Sequence, residues 1–164
     1  MPQEKPFKIL FVCTGNICRS PLAQAAFEHL LREEGLSNRF RVDSAGTDEW
    51  EVGKQADPRM RRVAAAHGIE IDHVARQLTV ADIAEYDLLL AMDKSNYHNM
   101  RSLAGALAGK IKLYREYDPK GGASAGVPDP YYGGAEGFEH VYRIVERTSR
   151  ELLSSLTREL AASR

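Results

Sequence analysis

Short apolar runs separated by longer amphipathic stretches predict alternating strands and helices in this chain. Four of the runs predict β-strands, at residues 7–12, 40–43, 87–92 and 111–114. The first includes Ile9-Leu10-Phe11-Val12, a continuous apolar run without polar alternation, which is typical of a parallel strand buried on both faces.

Helical spacing of apolar residues predicts four helices, at residues 21–34, 58–67, 94–107 and 135–162. We expect Ser20 to cap the first of them, Pro21 to occupy its first helical position and Gly35 to follow its end. Strands that alternate with helices predict a doubly wound α/β fold. Its sheet is expected to be four-stranded, mainly parallel and twisted, with helices on both faces.

Ligands bind such sheets at the carboxyl ends of the strands. Cys13 follows the first predicted strand, Ser44 ends the second and Asp93 ends the third. We therefore expect these separate stretches of the chain to meet at one edge of the sheet, with a phosphate-binding loop after the first strand.

Composition and charge narrow the class of protein. The chain has 164 residues, which fits a single domain over residues 1–164, and 22 basic against 23 acidic side chains give a net charge of -1. This balance argues against a general attraction to nucleic acid or to an anionic membrane. The apolar run after residues 1–8 is too short for a signal or membrane-spanning segment, so we expect a cytoplasmic protein. We also expect the protein to be a monomer.

The chemistry is concentrated between the first strand and the first helix, in the segment CTGNICRS at residues 13–20. Backbone N–H groups of such a loop, with the positive end of the helix dipole behind them, form a cavity for a phosphate-sized anion. Gly15 supplies backbone freedom there, and the planar guanidinium of Arg19 can bind two phosphate oxygens. Cys13 lies at the base of this cavity, where positive surroundings favour a nucleophilic thiolate.

Taken alone, these residues leave other interpretations open. A cysteine followed by five residues and an arginine occurs by chance in many chains, and a cysteine at a strand end is commonly a small core residue. A second cluster, DPYYG at residues 129–133, follows a glycine-rich loop at residues 119–128 that could act as a semi-mobile lid. Asp129 is either a general acid or a turn former, because Asp-Pro is a common turn signal.

Both clusters resemble the motifs of the low-molecular-weight protein tyrosine phosphatases, in VCTGNICRSP at residues 12–21 and DPYY at residues 129–132. Further matching segments are DSAGT at 43–47, Trp50, DPR at 57–59, HGI at 67–69, HVARQLT at 73–79 and AMDKSN at 91–96. The resemblance covers nearly the whole chain. It implies a phosphatase that hydrolyses phosphotyrosine and aryl phosphates through a phosphocysteine on Cys13, without a cofactor and with inhibition by phosphate-like oxyanions.

The resemblance also assigns the catalytic roles. It implies that Cys13 is the nucleophile, that Arg19 binds phosphate and that Asp129 is the general acid and base. The implied phosphate-binding residues are Thr14, Gly15, Asn16, Ile17, Cys18, Arg19 and Ser20.

Asn16 and Ser20 have both a simple and a family interpretation. Asn16 could only tolerate a left-handed backbone, and Ser20 could only cap its helix. In the family, the equivalent asparagine is held by a serine and a histidine that match Ser44 and His73 here, and the equivalent serine donates to the thiolate. The two interpretations are compatible.

Four residues form the expected substrate cleft: Ile17, Trp50, Tyr131 and Tyr132. A deep aromatic slot would grip a phenyl ring and exclude the shorter phosphoserine, although a lone tryptophan more often packs in a core. Family members place aromatic residues on the cleft rim at the positions of Trp50, Tyr131 and Tyr132. The neighbouring acids Asp48, Glu49 and Glu51 are either a lip that disfavours acidic substrates or ordinary exposed loop acids.

Cys18 suggests a redox role. A second thiol in the loop could trap oxidised Cys13 as a reversible disulfide, and the alternative is a small packing residue. The two cysteines lack partners at metal-ligand spacing, so we expect no metal.

Three other functions compete with tyrosine phosphatase activity. Protein arginine phosphatases of the same family carry threonine where this chain has Ile17, which favours phosphotyrosine here. Arsenate reductases on this fold use further cysteines outside the loop, and this chain has none. A non-catalytic phosphate-binding module would tolerate the loss of Cys13 or Asp129, and both are present.

Overall fold

The computed structural model describes residues 5–122, 125–130 and 134–163. Its sheet contains four strands, β1 (Phe7–Cys13), β2 (Phe40–Gly46), β3 (Leu88–Ala91) and β4 (Ile111–Leu113). The strands are all parallel and lie in the order β2-β1-β3-β4. The predicted four-stranded parallel sheet is confirmed, and β1, which leads into the cysteine loop, lies inside it.

Five α-helices are described: α1 (Arg19–Glu33), α2 (Pro58–Ala66), α3 (Val80–Glu85), α4 (Lys94–Ala104) and α5 (Ala135–Ala162). The short helix α3 was not predicted from the apolar pattern. The helix expected at residues 94–107 ends earlier, and the chain continues as a 3₁₀ helix, Gly105–Lys110. A second 3₁₀ helix, Tyr114–Tyr117, follows β4 directly.

Apolar side chains cover both faces of the sheet. On one face, Phe11 of β1 packs edge-on against Phe27 of α1 and Tyr114, with ring centroids 5.9 Å and 5.6 Å apart, and α5 closes the same core. On the other face, Leu10 and its neighbours pack against α3 and α4 through buried residues that include Met100. The fold is therefore doubly wound, as predicted. Along the described chain, no helix is both long and apolar enough to cross a membrane.

The start of α1 differs from the prediction. The helix begins at Arg19, so Pro21 occupies its third position rather than its first, and Ser20 lies inside the helix instead of capping it. No side chain caps this end, since the Ser20 hydroxyl is directed into the cysteine loop. At the other end Gly35 has φ 69° and the Leu36 N–H donates to the Leu31 carbonyl at 2.8 Å, as expected for a glycine that follows a helix.

Candidate active site

The loop that joins β1 to α1 surrounds a buried sulfur. Cys13 is the last residue of β1 and is 2% exposed. The backbone N–H of Asn16 points at its Sγ atom at 3.3 Å, and the Ser20 Oγ atom lies 2.9 Å from the same sulfur. Both groups can donate to a thiolate, so the loop is built to hold negative charge at this atom.

Asn16 is the structural centre of the loop. It has φ 58°, in the left-handed region that asparagine tolerates, and its side chain is buried. Its Nδ2 atom donates to the hydroxyls of Ser20 at 2.8 Å and Ser44 at 3.0 Å. Its Oδ1 atom accepts from His73 Nε2 at 2.8 Å and from the Arg76 N–H at 3.0 Å. The contacts with Ser44 and His73 that the family resemblance implied are therefore present.

This network also sets the direction of the Ser20 hydroxyl. Because Ser20 Oγ accepts from Asn16, its own proton is free to point at Cys13 Sγ, with the Ala45 carbonyl, at 3.4 Å, as a longer alternative. Burial lowers the pKa of His73, which favours a neutral imidazole that donates from Nε2 to Asn16.

Gly15 and Gly46 allow the loop to pack closely. The φ of Gly15 lies outside the left-handed region, so the expected backbone freedom is used by Asn16 instead; a Cβ on Gly15 would lie 3.2 Å from Glu51 Cγ. A Cβ on Gly46, at the end of β2, would lie only 2.6 Å from the Thr14 carbonyl oxygen. Gly46 was not among the predicted site residues, although it follows a predicted strand within a family-like segment.

Arg19 closes the loop and is 3% exposed. Its Nη1 atom donates to Asp93 Oδ2 at 2.7 Å and to the Val127 carbonyl at 3.0 Å, and its Nη2 atom lies 3.4 Å from Thr14 Oγ1. Asn96 Nδ2 donates to the same threonine hydroxyl at 3.1 Å. Asp93 was expected at this edge of the sheet but without a role, and Asn96 was missed. Asp93 immediately precedes α4, and Asn96 lies in its first turn. Asp93 holds the Arg19 guanidinium, and Asn96 holds the Thr14 hydroxyl.

A cleft of about 270 Å³ opens above the loop. Its lining combines loop residues with four others, which are Asp48, Trp50, Glu51 and Asp129. Asp129, whose side chain is 49% exposed, places Oδ2 3.6 Å from Arg19 Nη2. Trp50 is 81% exposed, so it lies on the rim and not in the core.

Two predicted cleft residues, Tyr131 and Tyr132, lie outside the described residues. Ile17 lines the cleft as expected. Among the described residues, no three His, Cys, Asp or Glu side chains are grouped closely enough to hold a metal ion.

Cys18 is a buried residue of the loop and, like Cys13, is a free cysteine. Burial and the nearby Asp57 charge raise the pKa of the Cys18 thiol. Cys18 is therefore protonated in the resting protein. Its redox role remains a prediction.

The fold and this site define a class of protein: a doubly wound α/β protein with an anion-binding loop built around a cysteine and closed by an arginine. The model of the low molecular weight phosphotyrosine protein phosphatase family matches residues 8–162. The chain belongs to this family of hydrolases. A low molecular weight protein-tyrosine-phosphatase of Streptomyces coelicolor is 43% identical over 157 residues, which cover 94% of this chain and 96% of the relative.

Solved structures are similar along almost the whole chain. A protein tyrosine phosphatase from Entamoeba histolytica, with Hepes in its active site, has a TM-score of 0.89 and 36% identity, covering 93% of this chain and 98% of the other. The YwlE arginine phosphatase, in a variant with a phosphorylated active-site serine, has a TM-score of 0.85 and 30% identity, covering 92% and 96%.

Proposed function

We propose that the enzyme hydrolyses phosphotyrosine in proteins, and aryl phosphates, in two steps. In the first, the Cys13 thiolate attacks phosphorus, the bond to the phenolic oxygen breaks, and Asp129 gives its proton to that oxygen. In the second, Asp129 takes a proton from water, the water oxygen attacks phosphorus, and the P–S bond breaks. Inorganic phosphate leaves, and the thiolate and the protonated acid are restored.

The position of Cys13 Sγ is the observation that carries this proposal. The sulfur lies at the end of β1 with the Asn16 N–H at 3.3 Å and the Ser20 hydroxyl at 2.9 Å. These donors stabilise a thiolate both as nucleophile and as leaving group. The phosphorylated active-site serine of the YwlE variant supports a covalent phosphoenzyme in this family.

Arg19 and the backbone amides of residues 14–20 stabilise the negative charge on the three equatorial phosphate oxygens in the transition state. The guanidinium is held by Asp93 at 2.7 Å before any anion arrives. This preorganisation supports a role in catalysis as well as in binding, because the donors need no reorientation during the reaction.

Asp129 is the proposed acid because it lines the cleft beside Arg19. Its Oδ2 atom lies 3.6 Å from Arg19 Nη2, so a phosphate held by the guanidinium places its ester oxygen near this carboxyl. Pro130 is buried and gives the acid an apolar neighbour. Among the described carboxyls that line the cleft, which are Asp48, Glu51 and Asp129, it is Asp129 that forms an ion pair with Arg19.

Selectivity for tyrosine rests on the walls of the cleft. Ile17 and Trp50 line it, and we propose that Tyr131 and Tyr132 complete an aromatic slot for the phenyl ring. Asp48 and Glu51, which also line the cleft, would disfavour acidic substrate peptides.

Three variants test the mechanism. Cys13→Ser should abolish turnover and retain oxyanion binding, whereas Arg19→Ala should lose both. Asp129→Ala should slow hydrolysis of phenyl phosphate by roughly 10²- to 10⁴-fold. Steady-state rates and calorimetric titration with vanadate or phosphate measure these effects. Full activity of Cys13→Ser would end the proposal.

A second experiment tests the substrate. Among matched phosphotyrosine, phosphoarginine and phosphoserine peptides, the phosphotyrosine peptide should be hydrolysed fastest. Arsenate reduction is the control, and we expect no turnover of arsenate. The similarity to the YwlE arginine phosphatase makes phosphoarginine the informative competitor. A higher kcat/KM on phosphoarginine would assign the enzyme to that substrate in spite of Ile17.

We extend the proposal to a redox switch at Cys18. Peroxide converts the Cys13 thiolate to a sulfenic acid; the Cys18 sulfur attacks it, the thiol proton leaves with the hydroxyl group as water, and a disulfide forms. Added dithiol would restore activity. In Cys18→Ser, peroxide inactivation should become irreversible, and unchanged recovery would refute the switch. A reactive thiolate suits a reducing compartment, so we propose that the enzyme is cytoplasmic. We also propose that it is a monomer.

A further inference from the structure

The segment that carries Asp129 is attached to the rest of the protein at two consecutive peptide groups. The Val127 N–H donates to the Met92 carbonyl at 2.7 Å, and the Val127 carbonyl accepts from Arg19 at 3.0 Å. One residue earlier, the Gly126 carbonyl accepts from Arg115 Nη1 at 2.9 Å. These bonds hold two consecutive peptide groups, the one between Gly126 and Val127 and the one between Val127 and Pro128, just before Asp129.

Arg115 is itself held by a buried carboxylate. It lies in the 3₁₀ helix Tyr114–Tyr117, and its Nε atom donates to Asp118 Oδ2 at 2.8 Å. The Asp118 side chain is 0% exposed and also accepts from Arg147 of α5, through Nε at 2.7 Å and Nη2 at 3.0 Å. The Arg115 guanidinium is therefore oriented by the buried Asp118 carboxylate, and its Nη1 atom donates to the Gly126 carbonyl.

Gly126 is packed tightly on its other side. A Cβ added there would lie 3.1 Å from Asp93 Cβ and 3.2 Å from Asp93 Cα. The backbone at Gly126 is consequently held between Arg115 and the first turn of α4. Asp93 also binds Arg19, so the same residue contacts both the segment that carries Asp129 and the phosphate-binding guanidinium.

The two attachments differ in their relation to substrate. Arg19 contacts Val127 and also lines the cleft, so this attachment is shared with the phosphate-binding site. Arg115 is not part of the cleft lining, and its bond to Gly126 does not depend on the ligand. The peptide group between Gly126 and Val127 is held at both edges, by Met92 at its N–H and by Arg115 at its carbonyl, and the loss of the Arg115 bond lets this group tilt about the remaining one.

We propose that Arg115 is a positioning residue for Asp129, acting through the Gly126 carbonyl and kept in place by Asp118. The inference rests on the proposed role of Asp129 as the acid. Without Arg115 the carboxyl loses its fixed distance to the leaving oxygen, while Cys13 and Arg19 keep their places.

The dependence of the hydrolysis rate on the leaving group of the substrate tests the inference. Phenolate needs a proton to leave, whereas p-nitrophenolate leaves largely without one, so the ratio of kcat/KM for phenyl phosphate to kcat/KM for p-nitrophenyl phosphate reports on the acid. Arg115→Met should lower this ratio about tenfold, since a small displacement of a catalytic group costs one to two orders of magnitude. Global destabilisation lowers both rates equally and leaves the ratio unchanged.

Arg147→Met is the matched control, because it removes the other arginine of Asp118 without a contact to Gly126. It should lower the melting temperature and keep the ratio. Gly126→Ala displaces the same segment from the opposite side and should lower the ratio even if Arg115→Met folds poorly. In an Asp129→Ala background, Arg115→Met should produce no further decrease.

The possible results separate the two proposals. A ratio that falls in Asp129→Ala but stays at the wild-type value in Arg115→Met and Gly126→Ala would overturn the positioning role alone. An equal fall in Arg147→Met would also overturn it. A wild-type ratio in Asp129→Ala would refute the acid, and the positioning role with it.

Discussion

Replacement of Asn16 by glycine separates its two possible roles. Glycine adopts φ 58° without strain, so Asn16→Gly preserves the left-handed turn and removes only the side-chain network. If the asparagine served the backbone alone, the variant would behave like the wild type. The network interpretation predicts a large loss, and its size can be worked out from the contacts.

Four hydrogen bonds disappear in this variant, to Ser20, Ser44, His73 and the Arg76 N–H. Each buried bond contributes about 1 kcal/mol net, and water that enters the vacated space recovers part of the loss. We expect the free energy of unfolding to fall by about 3 kcal/mol. For a chain of this size that lowers the melting temperature by about 6 to 12 °C.

Activity should fall as well, because the Asn16 N–H and the Ser20 hydroxyl lose the support that aims them at Cys13. We expect kcat/KM on p-nitrophenyl phosphate to decrease about 10- to 100-fold. Chemical denaturation with urea and steady-state kinetics on the same preparation measure both quantities.

Asn16→Asp provides the matched control. It keeps the acceptor for His73 and the Arg76 N–H but turns the donor into a second oxygen, so the Ser20 proton turns away from the sulfur. This variant should lose less stability than Asn16→Gly and at least as much activity. If Asn16→Gly unfolds within about 0.5 kcal/mol of the wild type and keeps its activity, the reasoning is wrong.

Three further predictions concern the surroundings of the loop. Trp50→Ala should raise KM for phosphotyrosine peptides several-fold without changing the melting temperature, because the ring is 81% exposed; an altered melting temperature would place it in the core. Gly46→Ala should lower the free energy of unfolding by about 1 to 3 kcal/mol in urea titrations, since its Cβ would lie 2.6 Å from the Thr14 carbonyl oxygen. Burial would raise the pKa of Asp118, but the hydrogen bonds from Arg147 and Arg115 outweigh it and lower the pKa from 3.8 to about 2. Asp118 therefore contributes about 2 kcal/mol above pH 3.8 that is lost as the pH falls to 2, and in Asp118→Asn this part of the stability profile should be flat.

The centre of the sheet could be predicted because β1 and β3 contain short continuous apolar runs, and these patterns can be recognised without knowledge of distant residues. The last part of β2 was missed because Ser44, Ala45 and Gly46 carry no large apolar side chain, although all three are buried. Helix α3 was missed because it spans six residues and buries little beyond Ile83, although the capping box of Thr79 and Asp82 marks its start.

The site was predictable where one short segment contains the chemistry, as in residues 13–20. Its supports come from other elements: Asp93 and Asn96 from the start of α4, and Gly46 from the end of β2. Only the strand order brings them to the loop, so local patterns could not give their roles. Ser20 was predicted as a helix cap because that is the usual use of a serine before proline, and the loop uses its hydroxyl instead.

The parallel order β2-β1-β3-β4 has a consequence for folding kinetics. Each strand pair joins segments separated by a crossover, as in Phe7 with Phe40 and Ile9 with Leu88, so the chain must close long loops before any ladder forms. The cysteine loop acquires its supports only after those closures. Recovery of enzymatic activity during refolding should therefore accompany the slow global transition, and thiols of incompletely folded molecules are exposed to oxidation until then.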